Sequence, residues 1–213
     1  MRTYKIYFIR HGMSQGNLEG RYIGVTESPL CQEGIVQINK LIETCDYPAV
    51  GKVYASPLSR CVDTAKLIYP DMTPEIVDDL TEYNFGQFEN RCIADLLKDE
   101  TYNRWIDSDW KEKPEGSEDI QEFINRTVNG LDSIIMDMMK RKISEAAVIT
   151  HGGVISQLLS ACGLPKRKST EWLVGNGKGY TLLVNASLWG NTKTVEVFTA
   201  IPYPDKLTVN DED

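Results

Sequence analysis

Two short apolar runs, each leading into a histidine and a glycine, constrain this chain more than any other feature. Ile6-Tyr7-Phe8-Ile9 runs into Arg10-His11-Gly12, and Ala146-Ala147-Val148-Ile149 runs through Thr150 into His151-Gly152-Gly153. An unbroken apolar run bounded by glycine is what a strand covered on both faces requires. In open α/β sheets ligands bind beyond the carboxyl ends of the strands. Glycine at that edge lets the backbone approach a ligand and turn into a following helix. The chain has two histidines, and both occupy such a position. A lone histidine is ordinarily a hydrogen-bonded structural residue, but chance burial poorly explains the same context twice. The pattern predicts that His11 and His151 share one cleft.

The remaining pattern alternates strand and helix. Strands are predicted at Tyr4 to Ile9, Lys52 to Ala55, Ala146 to Thr150, Tyr180 to Val184 and Thr194 to Phe198. Helices are predicted from Gln32 to Cys45, from Ser56-Pro57 with serine as cap and proline in the first turn, and from Val154 to Ala161. A long helix opening near Ser117 carries Ile120, Phe123, Ile124, Val128, Leu131, Ile134 and Ile135 at three-and-four spacing, which gives one apolar, core-facing stripe. This alternation means a three-layer α/β/α sandwich with a mostly parallel central sheet. All 213 residues fit one domain. Residues 83–114, with Trp105 and Trp110 among many acids, read as an inserted helical segment that roofs the cleft. The tail Val209 to Asp213 is expected to fray.

Bulk properties exclude several classes. A net charge of -8 argues against nucleic acid or an anionic membrane as partner. The start leads at once into the first strand, leaving no room for a signal peptide, and no apolar stretch approaches membrane-spanning length, so a cytoplasmic protein is expected. Cys31, Cys45, Cys61, Cys92 and Cys162 are odd in number and lack C-x-x-C spacing, which fits reduced thiols and neither a disulfide framework nor a zinc site.

The chemistry centres on His11. Arg10 beside it, and Arg60 in Ser56-Pro57-Leu58-Ser59-Arg60, are candidates for a phosphate clamp, because guanidinium pairs its N–H groups with phosphate oxygens. Neighbouring cations disfavour the imidazolium and leave a neutral, nucleophilic ring. The combination points to attack of a ring nitrogen on phosphorus, giving a covalent phosphohistidine. The leaving alkoxide then needs a proton. Glu82, in Leu80-Thr81-Glu82-Tyr83-Asn84-Phe85-Gly86, is a candidate, although any one of 31 acidic residues is by default a solvated surface group.

The ordered set Arg10-His11-Gly12-Met13-Ser14-Gln15-Gly16-Asn17, Ser56-Pro57-Leu58-Ser59-Arg60 with Thr64-Ala65, Glu82 with Phe85-Gly86, and His151-Gly152-Gly153 resembles the histidine phosphatase, or phosphoglycerate mutase-like, superfamily. The resemblance implies His11 as the phosphorylated nucleophile and Glu82 as the acid that protonates the leaving group and then activates water. It implies Arg10, Arg60, His151, Asn17 and Gly152 as phosphate-binding residues, with His151 also in the catalytic group, and neither metal nor cofactor. A small-molecule phosphomonoester is the implied substrate, of the kind taken by alpha-ribazole phosphatases and broad-specificity sugar or phosphoserine phosphatases. A cofactor-dependent mutase and a phosphoprotein phosphatase in signalling are the alternatives. Glu27-Ser28-Pro29-Leu30-Cys31 departs from the Asp-x-Pro-Leu-Thr common in that family. Gly116-Ser117-Glu118-Asp119 replaces Gly-Gly-Glu-Ser, and Arg126 keeps its expected spacing.

Two further motifs carry less weight. Gly175-Asn176-Gly177-Lys178-Gly179 lacks the order of a phosphate-cradling loop and reads as a turn before the strand at Tyr180. Lys166-Arg167-Lys168 reads as solvated helix-end charge. Tyr22, Tyr83, Phe85, Phe88 and Trp105 hint at an apolar or planar group over the cleft.

Overall fold

The computed structural model describes residues 3–108 and 110–204, so the predicted frayed tail, Val209 to Asp213, lies outside the described residues. In chain order the elements are β1 (Thr3–Arg10), α1 (Gln15–Leu18), α2 (Gln32–Thr44), β2 (Cys45–Asp46), β3 (Lys52–Ala55), α3 (Ser59–Ile68) and β4 (Glu75–Ile76). Next come α4 (Ile93–Leu96), α5 (Glu100–Asp107), α6 (Ile120–Arg141), β5 (Glu145–Thr150), α7 (Gly152–Cys162), β6 (Gly163–Leu164), β7 (Gly179–Asn185), α8 (Ala186–Thr192), β8 (Val195–Ile201) and β9 (Tyr203–Pro204).

A seven-stranded sheet has the order β4-β3-β5-β1-β7-β8-β6, and β2 and β9 form a separate small ribbon. In the large sheet β7 runs antiparallel to β1 and β8, and the other strands share one direction. One face packs Tyr7, Ile9, Val53, Ala55 and Ile149 against Ile38 of α2 and Cys61, Ala65 and Ile68 of α3. The other packs Ile6, Phe8, Tyr54 and Val148 against α6, α7 and Trp189 of α8. Adjacent β1 residues thus face opposite layers, which is why the strand reads as a continuous apolar run.

The pairing of β1 with β5 creates the cleft. Ile9 lies opposite Ile149 and Arg10 opposite Thr150, so each histidine is the next residue past the same sheet edge. The His11 amide donates to the Thr150 carbonyl at 2.9 Å, carrying the ladder one step further.

Local chemistry shifts two predicted helix starts. The helix expected at Ser56-Pro57 begins at Ser59, with Leu58 as the cap residue. Ser56 follows β3, which lies beside β5, and its hydroxyl lies 2.7 Å from the His151 ring, while at the helix start it accepts only a long 3.5 Å bond from the Leu58 amide. The long helix begins at Ile120 because the Asp119 carboxylate accepts from Gln121 and Glu122 N–H, whereas Ser117 closes a turn onto the Pro114 carbonyl.

The aromatic residues between Tyr83 and Trp110 pack into the main core. Trp105 and Phe88 are fully buried within an aromatic cluster that includes Tyr22, Tyr83, Phe85, Tyr102, Trp110 and Phe123. The Trp105 indole N–H meets no acceptor among the described residues, so its contribution is packing. Trp105→Ala should lower the unfolding free energy by about 3–5 kcal/mol in urea titration, and Trp105→Phe by less, because the phenylalanine leaves a smaller cavity. Equal losses in both variants would show that the indole does more than fill space.

Candidate active site

β1 ends at Arg10, and a turn from the far end of the chain holds the backbone on either side of the Arg10–His11 step. Asn176 donates its side-chain N–H to the His11 carbonyl at 2.9 Å, the Gly177 amide donates to the Arg10 carbonyl, and the Arg10 amide donates to the Lys178 carbonyl. Gly177 has φ +72°, the left-handed region that favours glycine, and a Cβ there would also push against the Ile38 tip at 2.6 Å. The Gly175 to Gly179 segment is the turn before β7 that its sequence suggests. It also fixes the backbone of His11, a task the sequence does not reveal.

His11 is 4% exposed. Its Nδ1 lies 2.6 Å from the Gly12 carbonyl, which can only accept, so Nδ1 carries the proton and Nε2 keeps its lone pair. That lone pair accepts from Arg60 Nε–H at 3.3 Å. Burial, then the Arg60 and Arg10 guanidiniums, hold the imidazole well below its ordinary pKa, against the opposing effect of the hydrogen bond to Gly12. A neutral ring that keeps the Nε2 lone pair is the nucleophilic form.

The His151 ring lies 5.2 Å from that of His11 in an edge-on arrangement. Its Nε2 lies 2.7 Å from Ser56 Oγ, and burial followed by Arg60 lowers its pKa well below the ordinary value. Cys61 packs its sulfur 3.5 Å from the same nitrogen. Burial pushes that thiol far up, which keeps it protonated and unreactive. All five cysteines are free.

Arg60, from the first turn of α3, donates NH1 to the Thr26 carbonyl at 3.0 Å and NH2 to the Gly24 carbonyl at 2.6 Å. Arg10 donates NH1 to the Val174 carbonyl at 2.8 Å, while its buried Nε has no partner among the described residues. An orphaned guanidinium N–H beside His11 is a donor awaiting an anion.

Glu82 is buried at 7% exposure. Its oxygens accept from the Tyr83 amide at 2.9 Å and the Gly153 amide at 3.0 Å. Burial raises its pKa against those two hydrogen bonds and the nearby arginines. A Cβ on Gly153 would lie 2.4 Å from Glu82 Oε1, so the second glycine of His151-Gly152-Gly153 makes room for this carboxyl. Arg126 steadies the same segment by donating to the carbonyls of Asp79, Thr81 and Glu82 and pairing with Glu118 at 2.6 Å.

Arg10, Asn17, Glu82 and Gly152 line a cavity of about 240 Å³, together with Arg21, Tyr22, Ile23, Phe85, Ile93, Trp110, Gly153, Ser156 and Leu173. His11, Arg60 and His151 lie deeper and do not form its walls. Asn17 closes a reciprocal cap with Ser14 at the start of α1, its Oδ1 accepting from the Ser14 amide. Of the aromatics suspected over the cleft, Tyr22 and Phe85 line it; Tyr83, Phe88 and Trp105 are core residues, and Trp110 joins the wall. Asn176 and Arg21 are neighbours that no sequence motif marks as part of the site, and Ser56, quoted within the Arg60 motif, reads there only as a helix cap. Only the Asn-Gly pair in Asn176-Gly177 signals a turn at all.

The family model for the histidine phosphatase superfamily (branch 1) matches residues 6–193. The adenosylcobalamin/alpha-ribazole phosphatase of Escherichia coli (strain K12) is 30% identical, over 81% of this chain and 86% of that protein. A metal-independent phosphoserine phosphatase of Arabidopsis thaliana is 30% identical, over 71% of this chain and 65% of its own. The crystal structure of the alpha-ribazole phosphatase from Shigella flexneri superposes with a TM-score of 0.71 at 25% identity, covering 98% of this chain and 100% of that one. With the ordered motifs gathered at one sheet edge and a family match across most of its length, the chain belongs to branch 1 of the histidine phosphatase superfamily.

Proposed function

We propose that the protein is a metal-independent phosphatase that hydrolyses a small phosphomonoester through a phosphohistidine on His11. The observation that carries this reading is the unprotonated His11 Nε2 beside two guanidiniums, with a buried carboxyl on the adjoining cavity wall. Incoming phosphate oxygens recruit the orphaned Arg10 Nε–H and draw Arg60 Nε–H off the His11 lone pair. Asn17, His151 and the Gly152 end of α7 complete the cradle. His11 Nε2 attacks phosphorus, the ester P–O bond breaks, and the departing alkoxide takes the Glu82 proton. The Glu82 carboxylate then accepts a proton from water as its oxygen attacks phosphorus. The P–N bond breaks, returning the neutral imidazole and inorganic phosphate.

Beyond the phosphate, Tyr22, Ile23, Phe85, Ile93, Trp110 and Leu173 give the cavity apolar walls. Arg21 on that wall is bonded to Glu19 and to the Asn90 carbonyl. These walls favour an apolar leaving group over a carboxylate-bearing one, in keeping with the name of the Escherichia coli relative. Residues 83–114 supply Phe85, Ile93 and Trp110 and act as the cover of the site. Phosphate release should be measured in chelator on p-nitrophenyl phosphate, alpha-ribazole phosphate, phosphoserine and 3-phosphoglycerate. Release should survive chelation, and kcat/KM for the alpha-ribazole ester should exceed that for 3-phosphoglycerate by at least about tenfold. Loss of release in chelator would overturn metal independence. Phosphoryl transfer between phosphoglycerates without net release would make the protein a mutase.

A further inference from the structure

We propose that Glu89 is a positioning residue for Arg60, acting through the loop at Gly24 to Thr26 and tying the inserted segment to the phosphate clamp. The Glu89 carboxylate gathers five donors. Oε2 accepts from the Gly24 amide at 3.2 Å, the Thr26 amide at 3.4 Å and the Thr26 hydroxyl at 2.6 Å. Oε1 accepts from the Val25 amide at 3.1 Å and the Phe85 amide at 3.0 Å. With its N–H groups turned onto one carboxylate, the loop directs the carbonyls of Gly24 and Thr26 to the two terminal nitrogens of Arg60. The arginine is thereby held with its Nε–H on His11.

A second observation supports the relay independently. A Cβ on Gly24 would lie 2.0 Å from the Tyr83 carbonyl, which demands glycine, and 2.3 Å from Glu89 Oε1, so the loop is seated directly against the carboxylate. The backbones are also joined next to this contact, through Asn90 N–H to the Tyr22 carbonyl and Tyr22 N–H to the Arg91 carbonyl. Glu27 gives the loop a separate anchor, accepting from the Ser59 amide and hydroxyl at the start of α3. That anchor fixes the loop to the helix and leaves the aim of the Gly24 and Thr26 carbonyls to Glu89.

Glu89→Gln keeps one acceptor oxygen and turns an NH2 toward groups that themselves donate, so the loop must shift. The inference rests on the phosphatase reading, and the test separates the two. Wild type, Glu89→Gln, Arg60→Ala and the double variant are compared in kcat/KM for p-nitrophenyl phosphate and in calorimetric affinity for inorganic phosphate. Glu89→Gln should lose at least about tenfold in both, the scale of one hydrogen bond to a charged group. In the Arg60→Ala background the same change should have almost no effect, because the residue it positions is gone. Equal losses in both backgrounds, or a single variant within twofold of wild type, would overturn the relay. If wild type shows no His11-dependent release, the phosphatase reading falls, and phosphate affinity alone then decides the relay. Should Glu89→Gln fail to fold, Thr26→Val, which removes only the hydroxyl donor to Glu89, carries the same cycle.

Discussion

His11→Ala is expected to reduce phosphate release by about four orders of magnitude or more on every ester, leaving substrate affinity much less affected. The asymmetry comes from the geometry. Arg10, Asn17 and Gly152 line the cavity wall independently of the ring, and Arg60 is held through Gly24 and Thr26 as well as by His11. On the proposed mechanism, truncation removes the attacking lone pair and leaves a binding site that still neutralises a phosphate. Loss of the phosphohistidine can be read directly. Wild type quenched in alkali during turnover of a 32P-labelled ester should carry label that acid releases, as a P–N bond requires, and the variant should carry none. Undiminished turnover in His11→Ala would sink the mechanism, whereas tightly bound ester without turnover is its signature. The same burial that keeps His11 neutral also affects stability. With its folded pKa below the unfolded one, acidification through the ordinary histidine range protonates the unfolded chain first and weakens folding.

The layout of the fold is legible where one interaction dominates. The β1 and β5 runs are apolar because both faces are covered, and that same requirement puts the two histidines at one edge. The grouping of His11, Arg10 and Arg60 is legible because residue type is diagnostic there, and the folded chain brings the three side by side. Glu82 cannot be picked from 31 acids by local pattern, because its role depends on burial against Gly153, residues that only the folded chain brings together. Ser56 looks like a helix cap because local hydrogen bonding favours that use of serine; a buried imidazole from the neighbouring strand takes its hydroxyl. The short strands β2, β4, β6 and β9 leave no mark because two residues carry no periodicity, and α8 because Ala186 to Thr192 holds few apolar positions. Trp105 and Phe88 stand among acids in the sequence, which suggests the cleft, whereas their burial serves the core beneath it.

On the proposed mechanism Glu82→Gln should separate the two halves of the reaction, because the amide can neither give the proton to a leaving alkoxide nor take one from water. On an alkyl phosphate both steps suffer, and kcat/KM should fall about 10²- to 10⁴-fold, the usual worth of general acid catalysis. p-Nitrophenolate needs no proton to depart, so with p-nitrophenyl phosphate the first step should persist and the second should stall. Stopped-flow absorbance should then show a burst of nitrophenolate, near one per enzyme molecule, followed by slow turnover as phosphohistidine accumulates. The pH profile supplies the second signature. Burial raises the Glu82 pKa, so for an alkyl ester kcat/KM in wild type declines as pH rises through that raised value and the acid is lost. The variant has no carboxyl to titrate and should lose this basic limb, while the titration of the substrate phosphate, common to both enzymes, remains. A variant that keeps the basic limb, or that slows p-nitrophenyl and alkyl esters equally with no burst, would assign the proton transfers to another group. His151 would be next in line, since its ring sits beside that of His11.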